Sequence, residues 1–258
     1  MAPITRLAIV AMLFSAAFVN AAPALAPSSE SAAGVTPELH KRGTVTIITR
    51  CKVPGTAAIT FDDGPHIYTN ALLDILKKKG VKATFFMNGN NYGNIANYAT
   101  LVKRAHKDGH QLASHTYSHK DLATLSKSAV TKEMTQLDAA FKKILGVRPT
   151  YMRPPFGSLS KQAGETITAL GYKIVTWEKD TEDWKHPDLV APSYAVYKGA
   201  LTSGQRSKPG HIFLQHDINM KTALELAPRA IDLALKKGYK VVTVGTCLGD
   251  SPSKWYRA

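Results

Sequence analysis

A short apolar run followed by a helical pattern recurs along most of the chain. Seven runs have the length and composition of buried strands, and six segments between them have helical periodicity. The strand candidates are 57–61, 83–87, 110–114, 150–152, 173–177, 211–214 and 240–244. The helix candidates are 69–79, 98–108, 126–145, 160–170, 190–203 and 221–237. Strands that alternate with helices predict a mainly parallel sheet.

Glycine marks the end of most helix candidates, and glycine readily takes the left-handed conformation that closes a helix. These glycines are Gly80, Gly109, Gly146, Gly171, Gly204 and Gly238. We therefore expect an α/β fold, a distorted and incomplete (β/α)7 barrel in a single domain. A flat, doubly wound sheet is the alternative.

The first 42 residues have the features of targeting and processing segments. Residues 1–21 combine a positive start, an apolar core and small residues, which is typical of a secretory signal peptide. A membrane anchor is the alternative, but the apolar run is shorter than the ~20 residues of a span. Residues 22–42 end in Lys41-Arg42 and are predicted to be a pro-segment. The mature chain would be 43–258, secreted to the exterior or cell wall without a membrane anchor.

The two cysteines of the chain, Cys51 and Cys247, lie near opposite ends of this mature segment. An even cysteine count in an oxidising compartment favours one disulfide between them, with two free thiols as the alternative. We find no linker after residue 43 and therefore expect no further module. We also expect a monomer.

The formal net charge of +14 raises nucleic-acid binding as a possible function class. Many lysines, however, precede the glycines that end helix candidates, where a cation complements the helix dipole. We interpret them as solvated charges and expect no nucleic-acid partner, while attraction to an anionic wall surface stays open.

Polar residues directly follow most strand candidates. They are Asp62 and Asp63, His115 and His119, Arg153, then Asp180, Asp183 and Trp184, and finally His216 and Asp217. In a β/α barrel the carboxyl ends of the strands meet at one face, where active sites lie. We therefore expect these residues to come together despite their separation in sequence.

His115 and His119 are four residues apart, and on one helical turn both rings would face the same metal ion. Packing or chance is the alternative for an isolated pair. A carboxylate from another strand end would complete a catalytic site with open positions, for which Zn²⁺ is the default ion.

The other strand-end residues also have structural alternatives. Asp62 and Asp63 precede Gly64-Pro65 and could form a turn, or they could divide into a metal ligand and a base. Arg153 could hold an aspartate ionised or form a structural ion pair. Side chains of adjacent strand residues are expected to point apart, which argues against the paired carboxylates of a glycosidase.

His216 and the segment 180–184 have the same two interpretations. An acidic neighbour could raise the pKa of His216 and make this residue a proton donor, although a lone histidine at a strand end is more often structural. Asp183 and Trp184 could belong to the site or to a polar loop with a packed indole.

At these residues the sequence resembles the polysaccharide deacetylase family, carbohydrate esterase family 4. The family has five ordered motifs, and each has a counterpart here. The counterparts are TFDDGP at 60–65, HTYSH at 115–119, RPPFG at 153–157, DTEDW at 180–184 and LQH at 214–216. Phe156 stands where tyrosine is common. The strand pattern extends the resemblance over the whole mature chain. The pro-segment, the single cysteine pair and the lack of a binding module resemble those of secreted fungal members acting on chitin.

The resemblance implies a role for each motif residue. Asp63, His115 and His119 would bind one divalent ion, Zn²⁺ or alternatively Co²⁺. Asp62 would be the base, with Arg153 behind it, and His216 the acid, with its pKa set by Asp183. The Phe156 N–H would stabilise the oxyanion, and Trp184 and Leu214 would line an acetyl pocket.

The resemblance also implies the reaction, hydrolytic removal of N-acetyl groups from chitin or a chito-oligosaccharide. Deacetylation of acetylxylan or peptidoglycan, which also occurs in the family, is one alternative. A carbohydrate-binding protein with an inactive site is an alternative from another class, and the complete set of motif residues argues against it.

Overall fold

The structure is a computed structural model that describes residues 45–258. The predicted signal peptide (1–21) and pro-segment (22–42) lie outside the described residues. The strands are β1 (Ile47–Ile48), β2 (Thr56–Asp62), β3 (Thr84–Met87), β4 (Gln111–Ser114), β5 (Arg148–Pro149), β6 (Tyr151–Met152), β7 (Lys173–Val175), β8 (Lys179–Asp180), β9 (His211–Leu214), β10 (Lys240–Val241) and β11 (Tyr256–Arg257). The helices are α1 (Thr69–Lys78), α2 (Ala99–Lys107), α3 (Lys127–Leu145), α4 (Lys161–Ala169), α5 (Val190–Ala200), α6 (Ala227–Lys236) and α7 (Val244–Cys247).

Nine strands form one sheet in the order β1-β7-β6-β4-β3-β2-β9-β8, with β10 also pairing with β2. Every pair within this sheet is parallel. β7 and β8 lie near opposite ends of this order but only four residues apart in the chain, so the sheet curls back towards itself. The predicted α/β fold, a distorted and incomplete barrel, is confirmed.

The curl has a filled interior. One buried residue from each of six strands contributes to it, together with residues of α7. These six are Ala58, Phe86, Ala113, Tyr151, Val175 and Ile212. Alternate residues such as Ile59, Phe85 and Leu112 instead pack against the surrounding helices. The period of two along each strand therefore separates an inner core from an outer one.

Several predicted boundaries were wrong. The strand predicted at 173–177 ends at Val175, and β8 forms a separate short strand that pairs with β9. The strand predicted at 240–244 covers only two residues, because Thr243 caps a helical turn by accepting a hydrogen bond from the Thr246 N–H. Short strands β1, β5 and β11 had no clear signal in the sequence.

Glycines close the predicted helices with one exception. Gly80, Gly109, Gly146, Gly171 and Gly238 all have φ between 65° and 83°. Gly204 does not cap α5, which ends four residues earlier and is followed by a separate 3₁₀ turn.

Cys51 and Cys247 form the predicted disulfide, with their Cα atoms 5.0 Å apart. It joins the segment before β2 to α7 at the end of the barrel interior. Closing a loop of 196 residues stabilises the fold by up to ~5 kcal/mol in the chain-entropy account.

A search of helices in the described part of the chain finds none long and apolar enough to cross a membrane.

Candidate active site

The inward-facing positions of the strands lead directly to the site. Two residues beyond Phe86, Ala113 and Tyr151, the same period reaches buried polar side chains. These are Asn88, His115 and Arg153, and the same period, continued four residues beyond Ala58 and Ile212, reaches Asp62 and His216. The predicted convergence of strand-end residues is therefore present, and it forms the open end of the barrel interior.

The two adjacent aspartates face the same region, contrary to the expectation that they point apart. Asp62 ends β2, whereas Asp63 has a φ of 74°, in the left-handed region. This change of backbone conformation lets both carboxylates approach Nε2 of His115, at 3.8 Å from Asp62 and 3.5 Å from Asp63. Gly64 is required next, since a Cβ there would lie 2.6 Å from the carboxylate oxygens of Asp217.

His115 and His119 do not lie on a helical turn as predicted. The segment is a loop in which Thr116 and His119 have φ values of 69° and 55°. The rings nevertheless converge, because Nε2 of His119 lies 3.1 Å from Oδ1 of Asp63 and Nε2 of His115 lies 3.5 Å from the same oxygen. One ligand atom from each of the three residues lies within 4.8 Å of the others.

This cluster has the properties of a metal site. Oδ1 of Asp63 is buried and has no hydrogen-bond partner among residues 45–258. Nδ1 of His115 donates to the Arg153 carbonyl at 2.8 Å, which leaves Nε2 with a lone pair directed at the cluster. Burial lowers the pKa of His115, which favours the neutral ring that a metal requires. Two nitrogen donors and one oxygen donor therefore fit a divalent ion with open positions.

Asp62 is held from behind by Arg153. The Arg153 Nη1 donates to Oδ1 of Asp62 and to the Thr60 hydroxyl, both at 2.7 Å, and Nη2 donates to the Thr176 carbonyl at 2.9 Å. The guanidinium is fully buried and lies 4.1 Å from the centre of the Phe86 ring. One oxygen of Asp62 is thus fixed by a cation, while the other remains on the side of His115.

On the opposite side of the site, His216 is paired with Asp183. Nδ1 of His216 lies 2.8 Å from Oδ1 of Asp183, and the other oxygen accepts from the His216 N–H and from the Thr222 hydroxyl. Burial alone would lower the pKa of His216, but the hydrogen bond and charge of Asp183 raise it to about 9. The same contacts lower the pKa of Asp183 against the effect of its burial.

A cavity of about 630 Å³ opens above these groups. The predicted substrate-contacting residues Phe156, Trp184 and Leu214 all line it, as do Asp62, Asp63, His115, His119 and His216. Phe156 is 68% exposed and packs edge-on against His119, with ring centres 4.7 Å apart. Tyr92, Trp177, Asp180, Pro187, Ile218 and Asn219 complete the lining.

Sequence analysis missed the buried residue Asn88. Its backbone N–H donates to the Gly64 carbonyl at 2.9 Å, and its side-chain amide donates to the carbonyls of His115 at 2.5 Å and Thr116 at 3.1 Å. Asn88 thus joins the aspartate turn to the histidine loop. It directly follows the second predicted strand, so the strand-end rule that selected the other site residues would also have found it.

Comparisons with known proteins agree with this geometry. A family model described as polysaccharide deacetylase matches residues 49–175. A chitin deacetylase of Pestalotiopsis sp is 44% identical over 241 residues, which cover 92% of this chain and 79% of that protein. A probable peptidoglycan-N-acetylglucosamine deacetylase of Arthroderma benhamiae is 44% identical over 214 residues, which are 82% of this chain but only 48% of that protein.

Among solved structures, the chitin deacetylase from the fungal pathogen Colletotrichum lindemuthianum superposes with a TM-score of 0.80. The two sequences are 39% identical, and the match covers 83% of this chain and 96% of that one. The sequence identity to these relatives and the matching fold lead to one assignment: this chain belongs to the polysaccharide deacetylase family.

Proposed function

We propose that this protein is a metal-dependent deacetylase that hydrolyses N-acetyl groups of β-1,4-linked N-acetylglucosamine polymers or oligomers, converting chitin to chitosan and acetate. The observation that carries the proposal is the grouping of three functions around one cavity. These are a metal-ligand set, an ion-paired carboxylate, and a histidine whose pKa is raised to about 9. The chitin deacetylases among its relatives support the choice of substrate.

Asp63, His115 and His119 would hold the ion. Zn²⁺ is the usual ion for two histidines and a carboxylate, and Co²⁺ is also suited to these ligands. When bound, a divalent ion polarises the acetyl carbonyl and lowers the pKa of water to ~7. Its positive charge would also offset the repulsion between Asp62 and Asp63.

Asp62 would accept a proton from the attacking water. Its contact with the Arg153 guanidinium orients the carboxylate, so one oxygen can act as a base while the other is fixed.

His216 would donate a proton to the leaving amine, since an amide anion is a poor leaving group. Asp183 stabilises the imidazolium and fixes the ring so that Nε2 faces the cavity. The backbone N–H of Phe156 is proposed to stabilise the oxyanion. Trp184 and Leu214 are proposed to surround the acetyl methyl group.

A second substrate, peptidoglycan, has support from the Arthroderma relative. Acetylxylan is a third candidate, as an O-acetylated polymer. Acetate release from chitin oligomers, peptidoglycan and acetylxylan, each measured with and without a chelator, separates them. We expect chelator-sensitive release that is fastest on chitin oligomers. Release from none of the three would contradict the proposed hydrolase and favour an inactive carbohydrate-binding protein.

We further propose that residues 1–21 and 22–42 are removed and that the mature domain, 43–258, is secreted as a monomer. The disulfide supports an oxidising compartment. Expression of the full chain in a secreting host should give extracellular protein whose first residue is Gly43. Retention of the protein inside the cell would contradict this proposal.

A further inference from the structure

The end of the barrel opposite the active site carries a group of lysines. Because the strands are parallel, the helices between them run back and end at the amino edge of the sheet. The exposed lysines there include Lys77 and Lys78 at the end of α1, Lys107 at the end of α2, Lys236 and Lys237 at the end of α6, and Lys240 at the start of β10. We name these six residues the basal face.

Contacts between the helix ends show that the basal face is continuous. Lys79 at the end of α1 contacts Asp232 of α6 at 2.5 Å. Arg104 of α2 contacts Asp74 of α1, so α1 has one basal helix on each side. The six lysines therefore lie on neighbouring elements.

None of the six basal lysines has a carboxylate partner within 4.0 Å in the described range 45–258. Three lysines on the catalytic side differ, because Lys185 contacts Glu182 at 2.7 Å, Lys221 contacts Glu225 at 2.5 Å and Lys161 contacts Glu165 at 4.0 Å. The carboxylates near the helix ends of the basal face, Asp74, Asp108 and Asp232, are instead paired with Arg104 or Lys79. The six lysines of the basal face thus carry positive charge that no contacting carboxylate neutralises.

The chemistry of the basal face restricts what can bind there. The large exposed aromatic residues of the described chain, Tyr92, Phe156 and Trp184, all line the catalytic cavity. The basal face therefore has neither the stacking platforms of single-strand nucleic-acid sites nor an apolar surface for a membrane, since Leu235 alone is exposed at the end of α6. Lysines act as hydrated point charges that attract an anion without a fixed geometry.

We propose that the basal face binds an anionic polysaccharide, a glycan that carries carboxylates along its length. The inference goes beyond the proposed function and relies on it in one step only. The proposed substrate, chitin, is uncharged and its deacetylated product is cationic, so neither is the anion that the basal face would attract. Binding at this end leaves the cavity free, since the cavity opens at the opposite end of the strands. The protein would be retained on an acidic matrix while it acts on a neighbouring polymer.

Retention on immobilised polygalacturonate tests the proposal. The basal variant carries Lys77→Gln, Lys107→Gln, Lys236→Gln and Lys237→Gln. The matched control carries Lys127→Gln, Lys132→Gln, Lys161→Gln and Lys221→Gln, the same charge change on the catalytic side. We expect the basal variant to bind at least about tenfold more weakly at low salt, with a smaller salt dependence, and the control to bind like the parent protein.

Thermal unfolding and acetate release from soluble chitin oligomers should be unchanged in both variants, which separates this proposal from the proposed function. Equal weakening in the two variants would show that only net charge matters and would overturn the assignment to the basal face. Binding to polyphosphate or to anionic phospholipid vesicles without binding to polygalacturonate would overturn the choice of a polysaccharide.

Discussion

Two histidines on opposite sides of the cavity have similar neighbours, but their pKa values are shifted in opposite directions. His115 is buried and His216 is partly buried, and both lie beside aspartates. His115, however, donates from Nδ1 to a neutral carbonyl, whereas His216 donates from Nδ1 to the carboxylate of Asp183. Burial lowers the pKa of His115, and Asp183 overcomes burial to raise that of His216 to about 9. The hydrogen-bond partner of Nδ1 therefore distinguishes the proposed metal ligand from the proposed acid.

Replacing the proposed ligand should have the largest effect. His115→Ala removes one of three donors, and we expect tight Zn²⁺ binding and chelator-sensitive acetate release both to be lost. Calorimetric titration of the metal-free protein with Zn²⁺ measures the first effect directly. Zn²⁺ binding at the affinity of the parent protein would remove His115 from the ligand set.

His216→Ala should leave Zn²⁺ affinity unchanged and reduce kcat/KM on chitin oligomers by roughly 10²–10⁴-fold, because a positioned proton donor contributes this much. The control is an activated aryl acetate, whose leaving group needs no proton. We expect a much smaller loss on that substrate. Equal losses on the amide and the aryl ester would contradict the role of His216 as the acid.

Asp183→Asn should shift the pH dependence of the reaction. Without the carboxylate, burial dominates and the pKa of His216 falls. Activity that needs protonated His216 persists in the parent protein until the pH rises through about 9, and in the variant it should be lost at lower pH. Profiles of kcat between about pH 6 and pH 10 measure this limb. An unchanged basic limb would show that Asp183 does not set the pKa of His216.

The smallest effect is expected from Asn88→Ala. This substitution alters the part of the site that holds the proposed metal ligands but replaces none of those ligands. Loss of the amide leaves the carbonyls of His115 and Thr116 without this donor and loosens the histidine loop. We expect Zn²⁺ affinity to fall by about tenfold, as for other residues that orient ligands.

The control for Asn88→Ala is Asn91→Ala, which removes only the hydrogen bond from Asn91 to Oδ1 of Asn88. Unchanged Zn²⁺ affinity in Asn88→Ala, or equal losses in both variants, would assign Asn88 a general structural role. Unchanged affinity of His216→Ala in the same assay would keep the two sides of the cavity distinct.

The strand-end positions were predictable because the period of two is a property of any strand. Once 57–61 was identified as a strand, Asp62 had to follow at its carboxyl edge, and the same reasoning placed Arg153 and His216. The glycines at helix ends were predictable for a similar reason, since few other residues take the left-handed conformation at low cost.

The local geometry of the ligands was not predictable in this way. Asp63 and His119 both have positive φ, and neither residue type is sufficient to predict that conformation. Their backbones are held by contacts with distant segments, such as the packing of Asp217 against Gly64 and the bonds from Asn88 to the histidine loop. Only the folded structure brings those segments together, so the sequence suggested a helical turn where a loop exists.

Asp62 lies between His115 and His216. Replacing it tests most directly how the roles of base and metal ligand are divided between Asp62 and Asp63. The Asp62 carboxylate contacts Arg153 at 2.7 Å and lies 3.8 Å from His115. We propose that Asp62 is the base and Asp63 the ligand. Calorimetric Zn²⁺ titration of Asp62→Asn, with acetate release measured on the same sample, should show one bound ion at parental affinity and no turnover. Loss of Zn²⁺ binding, or turnover at the parental rate, would contradict the account.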